Sequence, residues 1–435
     1  MASAGKTSLL SCFAVSLADH IPSAAVLAPE VRRGRRRARP AGWVFSSLAL
    51  LLVNAGCTAL PSPFHRAPPK PGHTTLGSPL VVLPAQTIDN YLIVEVKLER
   101  SGPYHFLVDT GSTVTQVTPA LAKRFASSNA PPPDMPRVPT KSAEGEIAEL
   151  PSATLRRIEL GDARFDEVPV LVYDCAPLSA HLGVKIDGVL GFPLFRETLL
   201  TLDYPHGRVL LQPANTTALV PGTAVPLDDT NKTPLIHVHL GDRTFVALLD
   251  SGSDAALGLN PVGLDPRFAS GPRTGGVVGT LTGDHPQQVG RLADTLGLGD
   301  FTLPRPIVDL TDDLSAVGGE ILKNFTVTFD QEHDRVIFQR DSHDPIVSPS
   351  RRSAGVSFTK TPAYWRVAGI VPGSPAETAG VQPGDLVTRI NGEPLAKWDF
   401  IRYEQLVATA DQIAFTFLHG TTETEKRVGV FELVP

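Results

Sequence analysis

The chain is poor in cysteine, methionine and aromatic side chains: its 435 residues hold three Cys, two Met and 6% Phe, Trp and Tyr. Cys12, Cys57 and Cys175 are too few for a disulfide framework and show no zinc-ligand spacing. Positive charge is scarce outside the N-terminus. The net charge is −6, yet residues 1–56 carry seven Lys/Arg against two Asp/Glu, so the remainder carries −11. An acidic body of that kind excludes nucleic acid as the expected partner. Gly-x-Ser-x-Gly is absent, which removes one class of serine hydrolase. Gly5-Lys6-Thr7 lacks the upstream glycine of a phosphate loop. The 12 His show no metal-ligand spacing, and His237 and His239 read as a solvated strand face. Cys175 ends an apolar strand-like run, Val170 to Val172 with Tyr173-Asp174, and is expected to be a buried thiol rather than a nucleophile. No metal and no cofactor are expected.

Glycine and proline, in contrast, are abundant, with 37 and 40 copies. Many turns between short alternating runs predict a mainly β protein, long enough for two or three domains.

Residues 1–57 read as targeting sequence. Arg32, Arg33, Arg35, Arg36, Arg37 and Arg39 form a basic block, followed by a short apolar run from Trp43 to Val53 and by Asn54-Ala55-Gly56-Cys57. The run is too short to span a bilayer as a helix. Its end resembles the lipobox of bacterial lipoproteins, with Asn54 where that family has an apolar residue. The resemblance implies a lipid on Cys57. Because the next residue is Thr58 rather than Asp, it also implies anchoring to the outer membrane. Residues 58–81, with Pro61, Pro63, Pro68, Pro69 and Pro71, form the expected tether. The lipid is the only expected contact with a membrane.

The most informative pattern is an internal repeat. Leu92 to Leu98 alternates apolar and polar residues, as a half-buried strand does, and so does Leu235 to Leu240. Each run leads into a second apolar run and then into an aspartate motif: Asp109-Thr110-Gly111-Ser112 and Asp250-Ser251-Gly252-Ser253. Further on, Val189-Leu190-Gly191 precedes Asp203, and Ala316-Val317-Gly318 precedes Asp330 at the same spacing. The repeated units are expected over 82–215 and 225–340.

Two carboxyls a few ångström apart can share one proton, so that one acts as base and the other as acid. Asp109 and Asp250 are the candidates. Thr110 and Ser251 offer hydroxyls to brace one loop against the other. Gly111 and Gly252 let backbone approach the carboxyls. Ser112 and Ser253 offer hydroxyls to the outer carboxylate oxygens. With these residues in view, the chain resembles an aspartic peptidase of the retropepsin-like and pepsin-like fold. The resemblance implies two homologous β-barrel lobes and peptide-bond hydrolysis of protein or peptide substrates. Gly145 and Gly275, Gly276 or Gly279 are candidate flap glycines. The two aspartates could meet within one chain or across a homodimer. The rival expectation is a non-catalytic peptide-binding or scaffolding protein of the envelope with a degenerate protease fold.

After a charged linker, Arg340 to Gly355, residues 355–435 contain Gly369-Ile370-Val371-Pro372-Gly373-Ser374-Pro375-Ala376, Pro383-Gly384-Asp385 and Ile390-Asn391-Gly392. This pattern resembles the PDZ domain of bacterial envelope proteases, a small α+β module. The resemblance implies a groove for C-terminal or extended peptides. Tyr364, Trp365, Arg366 and Val367 are expected as its loop and strand, with a helix from about Ile401 to Ala408 opposite.

Overall fold

The computed structural model describes residues 3–4, 16–17 and 73–435, except 128–134, 142–146, 217–219, 231, 280–283 and 361–362. The basic block, the apolar run, Cys57 and Gly145 lie outside the described residues. The chain is mostly β, in accord with its turn-rich composition.

The repeat read in the sequence becomes a repeat of strand pairing. In the first half, strand Tyr91–Leu98 turns back as Ser101–Asp109, which ends on the first aspartate. Strand Gly188–Gly191 runs parallel beneath it, with Gly191 opposite Asp109. In the second half, Leu235–Leu240 turns back as Arg243–Leu249, and Ala316–Val317 runs parallel beneath its end. Strand ends bearing apolar residues on both faces are buried on both faces, which is why Phe106 to Val108 and Ala247 to Leu249 read as continuous apolar runs.

The halves are joined by a continuous antiparallel sheet. Its order is Val81–Ile88, Arg208–Pro213, Thr198–Asp203, Thr326–Asp330, Arg335–Gln339 and Thr223–Asp228. At the central pairing Leu202 lies opposite Val327, and the hydroxyls of Thr201 and Thr328 are 2.9 Å apart. A single apolar core extends through both halves, from Leu83 and Leu92 to Phe329 and Phe338.

Two expectations about boundaries need correction. The tether over 58–81 is already structured from His73: strand His73–Leu76 pairs with Ala163–Asp166. The stretch from Arg340 to Gly355 is not a loose linker either. Strand Arg351–Ser353 pairs with the C-terminal strand Phe431–Val434. The buried Arg351 guanidinium grips both carboxylate oxygens of Asp309, at 2.6 and 3.1 Å. A buried charge of this kind is tolerated because it is paired and hydrogen-bonded. The charges of the expected linker are therefore partly internal.

The last segment builds its own core around Phe358, Trp365, Tyr403, Phe415 and Phe417. Its sheet order is Val356–Lys360, Trp365–Ile370, Leu386–Ile390, Gln412–His419 and Thr422–Gly429. Helix Phe400–Thr409 starts at Asp399, whose carboxylate accepts the Arg402 N–H at 2.8 Å, a regular N-cap.

Candidate active site

The parallel pairings carry both aspartate loops to the same place. Thr110 Oγ1 accepts the Ser251 N–H at 3.0 Å and donates to the Leu249 carbonyl at 2.6 Å. Ser251 Oγ accepts the Thr110 N–H at 3.0 Å and donates to the Val108 carbonyl at 2.8 Å. Four hydrogen bonds thus cross between the loops in a reciprocal pattern. All six groups that make these bonds are buried, so none could be left unpaired without a desolvation cost.

This lock sets Asp109 and Asp250 face to face within one chain. Their side chains are close enough to hydrogen-bond to each other. Asp109 is 1% and Asp250 2% exposed. The glycines are required here by space rather than by φ. A Cβ on Gly111 would overlap the Asp250 carboxyl, and one on Gly252 would overlap that of Asp109. Beneath the loops the same condition holds: a Cβ on Gly191 would lie 2.6 Å from the Val114 carbonyl carbon, and one on Gly318 would overlap the Ala255 carbonyl.

Backbone, not the serine hydroxyls, braces the carboxylates. The Ser112 N–H donates to Asp109 Oδ1 at 3.0 Å, and the Gly252 N–H donates to Asp250 Oδ1 at 2.8 Å. Ser112 Oγ instead donates to the Val114 carbonyl at 2.8 Å, and Ser253 Oγ accepts the Ala255 N–H at 3.3 Å. The expected bonds from Ser112 and Ser253 to the outer carboxylate oxygens are therefore not made. A short hydroxyl one turn past the aspartate reaches its own loop more easily than the carboxyl. Asp109 Oδ2 is buried and accepts no hydrogen bond from backbone or hydroxyl.

Both carboxyls are pushed toward the protonated state. Burial, then the charge of Asp250 and the hydrogen bond with it, raise Asp109 well above the usual carboxylate range. Burial also raises Asp250, to about 6, against the lowering effect of the Gly252 N–H, the Asp109 hydrogen bond and the Gly111 N–H. Two buried carboxyls in such contact hold one proton between them, and their titration belongs to the pair. Tyr204 was not singled out in the sequence. It is buried beside the pair, and its phenol is raised first by burial and then by Asp250 and Asp109.

A family model described as aspartyl protease matches residues 94–194, and one described as PDZ domain matches 366–417. The chain carries an aspartyl protease domain and a PDZ domain. The protease match takes in Asp109 and Gly191 but ends before Asp250. No curated protein matches the chain.

In the PDZ domain the expected groove strand is misplaced by one strand. Strand Trp365–Ile370 has neighbours on both sides, and Trp365 and Val367 are buried in the core. Such a strand offers no edge to a peptide. Among the described residues one edge of this sheet is Val356–Lys360, whose Phe358 ring meets Tyr403 of the helix edge-to-face with centroids 5.5 Å apart. It is preceded by Ala354-Gly355-Val356, with Gly355 at φ +76°. That apolar-Gly-apolar loop was legible in the sequence and was overlooked. Arg366 and Tyr364 lie at or before the start of the interior strand.

Two further placements touch function. Hairpin Phe268–Gly279 with Asp284–Leu292 contains Gly275, Gly276 and Gly279. It lies against the PDZ sheet, where the Val277 N–H donates to Ser357 Oγ at 3.0 Å. Cys175 is buried, and burial followed by Asp174 and Asp187 pushes its thiol up to about 12, which leaves it inert as a nucleophile.

Proposed function

We propose that the chain is an aspartic endopeptidase in which Asp109 and Asp250, drawn from the two halves of one chain, form a shared-proton pair. The observation that carries this reading is the reciprocal Thr110–Ser251 lock, which holds two buried carboxyls against each other with one raised above the other. Asp250, as the ionised partner, takes a proton from water. Asp109, as the protonated partner, polarises the scissile carbonyl and then passes its proton toward the departing amine. Peptide hydrolysis needs no cofactor by this route. Lobes over 82–215 and 225–340 each supply one loop.

The PDZ domain takes C-terminal or extended peptides as an added strand along Val356–Lys360, facing helix Phe400–Thr409. The N-terminal segment exports the protein and leaves it lipid-anchored at Cys57 in the bacterial envelope, on the motif of residues 54–57.

Cleavage of an unstructured protein that is blocked by pepstatin and lost in both Asp109→Asn and Asp250→Asn is the expected result. Turnover retained in either variant would overturn the shared site. A second reading has one observation in its favour, the almost complete covering of both carboxyls. It is a peptide-binding protein with a closed, degenerate site. Peptide binding without hydrolysis at any pH would select it.

A further inference from the structure

Away from the aspartate pair, three potential metal ligands converge that are far apart in the chain. Asp89, His181 and Asp254 each present one ligand atom, and these atoms lie within 4.8 Å of one another. His181 Nε2 is 3.9 Å from Asp89 Oδ2. Asp254 is fully buried, His181 is 2% exposed, and the Asp89 side chain is 13% exposed.

Each ligand sits on a separate, well-held element. Asp89 and Asn90 form the turn between Val81–Ile88 and Tyr91–Leu98, both at positive φ, 45° and 71°. Asp and Asn tolerate that region better than most residues. His181 lies in the last turn of helix Ala176–Leu182, and its ring stacks on Phe400 of the PDZ helix at 5.4 Å. Asp254 directly follows the second aspartate loop, four positions after Asp250, and its carbonyl accepts the Asn90 side-chain N–H at 3.2 Å. Asn90 also reaches Glu320 Oε2 at 3.1 Å, so the turn is fixed against the second half from two sides.

We propose that Asp89, His181 and Asp254 bind a divalent transition-metal ion of the zinc class. One imidazole and two carboxylates form a mixed nitrogen and oxygen donor set of that class. Around a tetrahedral zinc ion with ordinary bond lengths, neighbouring ligand atoms stand about 3.4 Å apart, so the three ligand atoms have only a short way to draw together around an ion. The nearby Arg351 adds positive field at Asp254. The partly open Asp89 gives the ion an entry path. The bound ion would clamp a turn and a helix of the first half to the loop that follows Asp250.

Tag-free full-length protein, stripped with a chelator and dialysed, is titrated with Zn²⁺ by calorimetry, and its thermal midpoint is followed in parallel. One equivalent per chain and a raised midpoint are expected. Asp89→Asn, which suits the turn, and His181→Ala are each expected to weaken binding tenfold or more. With Co²⁺ in place of Zn²⁺, the visible absorption of a nitrogen-liganded ion is expected in the native protein and lost in His181→Ala. Failure to bind one equivalent overturns the site. So does unchanged affinity in Asp89→Asn. Loss of binding only on replacing His237 and His239 would place the ion elsewhere and also overturn it. None of these readouts depends on peptidase activity.

Discussion

The two aspartate loops have nearly the same backbone hydrogen bonds but different electrostatics. Ser112 and Gly252 brace their carboxylates in the same way, and Gly191 and Gly318 lie under equivalent carbonyls. Yet Asp109 is raised well above the usual range by burial and by Asp250, against the lowering N–H groups of Gly111 and Ser112, whereas Asp250, raised by burial, is lowered by Gly252, Asp109 and Gly111. Geometric symmetry therefore does not impose chemical symmetry. Two like carboxyls in contact cannot both ionise cheaply, so the apparent values belong to the pair.

The largest effect should come from removing the acid-base function. Asp109→Asn and Asp250→Asn are each expected to lower peptidase kcat/KM by about 10²–10⁴-fold or more, with an unchanged circular dichroism spectrum. An unequal loss would show how far the asymmetry of the pair extends into catalysis.

Next comes pH. The singly protonated pair prevails above the Asp250 value, about 6, until Asp109 loses its proton, so activity should rise along an acid limb near pH 6. Stability should move the other way. A carboxyl raised in the folded state stabilises the fold while protonated, and that contribution is lost as pH rises from the unfolded value, about 4, through about 6. Urea midpoints should fall across this window in the native protein and fall less in Asp250→Asn.

The lock can be tested one hydroxyl at a time. Thr110→Val and Ser251→Ala each strand a buried N–H and a buried carbonyl, and each should cost about 2–3 kcal/mol in urea unfolding. The double variant should cost less than the sum, because the pair is one network. Gly191→Ala and Gly318→Ala should each cost about 1–3 kcal/mol by overpacking under the loops. Equal penalties would extend the equivalence of the halves to packing. The smallest effect belongs to the joining sheet: Thr201→Val should cost about 1 kcal/mol by thermal unfolding, and Thr328→Val on top of it little more.

Much of the fold was legible because its determinants are local. Alternation marked Leu92 to Leu98 and Leu235 to Leu240, and the equal spacing from Gly191 to Asp203 and from Gly318 to Asp330 marked the strands beneath the loops. A second repeat was equally legible and went unread: Asp203-x-x-His206-x-Arg208 and Asp330-x-x-His333-x-Arg335. Each Asp accepts from its His, at 2.7 and 2.8 Å, and from its Arg Nε, at 2.9 and 2.8 Å. Burial alone would raise Asp203, but the bonds from His206, Arg208 and Thr326 outweigh it and leave it lowered. What failed was non-local. Whether Trp365–Ile370 is an edge or an interior strand depends on sheet order, which no local pattern encodes. The meeting of Asp89, His181 and Asp254 depends on three elements packing together, and Ser112 and Ser253 were misread because hydroxyl direction follows the turn.

The joining sheet has a consequence for regulation. Where a two-aspartate site is split between separate subunits, dilution dismantles it, and assembly itself becomes the switch. Here strands Thr198–Asp203 and Thr326–Asp330 pair inside one polypeptide, so the effective concentration of one loop for the other is fixed by covalent connection. The aspartate pair is then complete in a solitary molecule, however sparse the protein is in its compartment. On the proposed function, control would act on entry to the site rather than on its assembly.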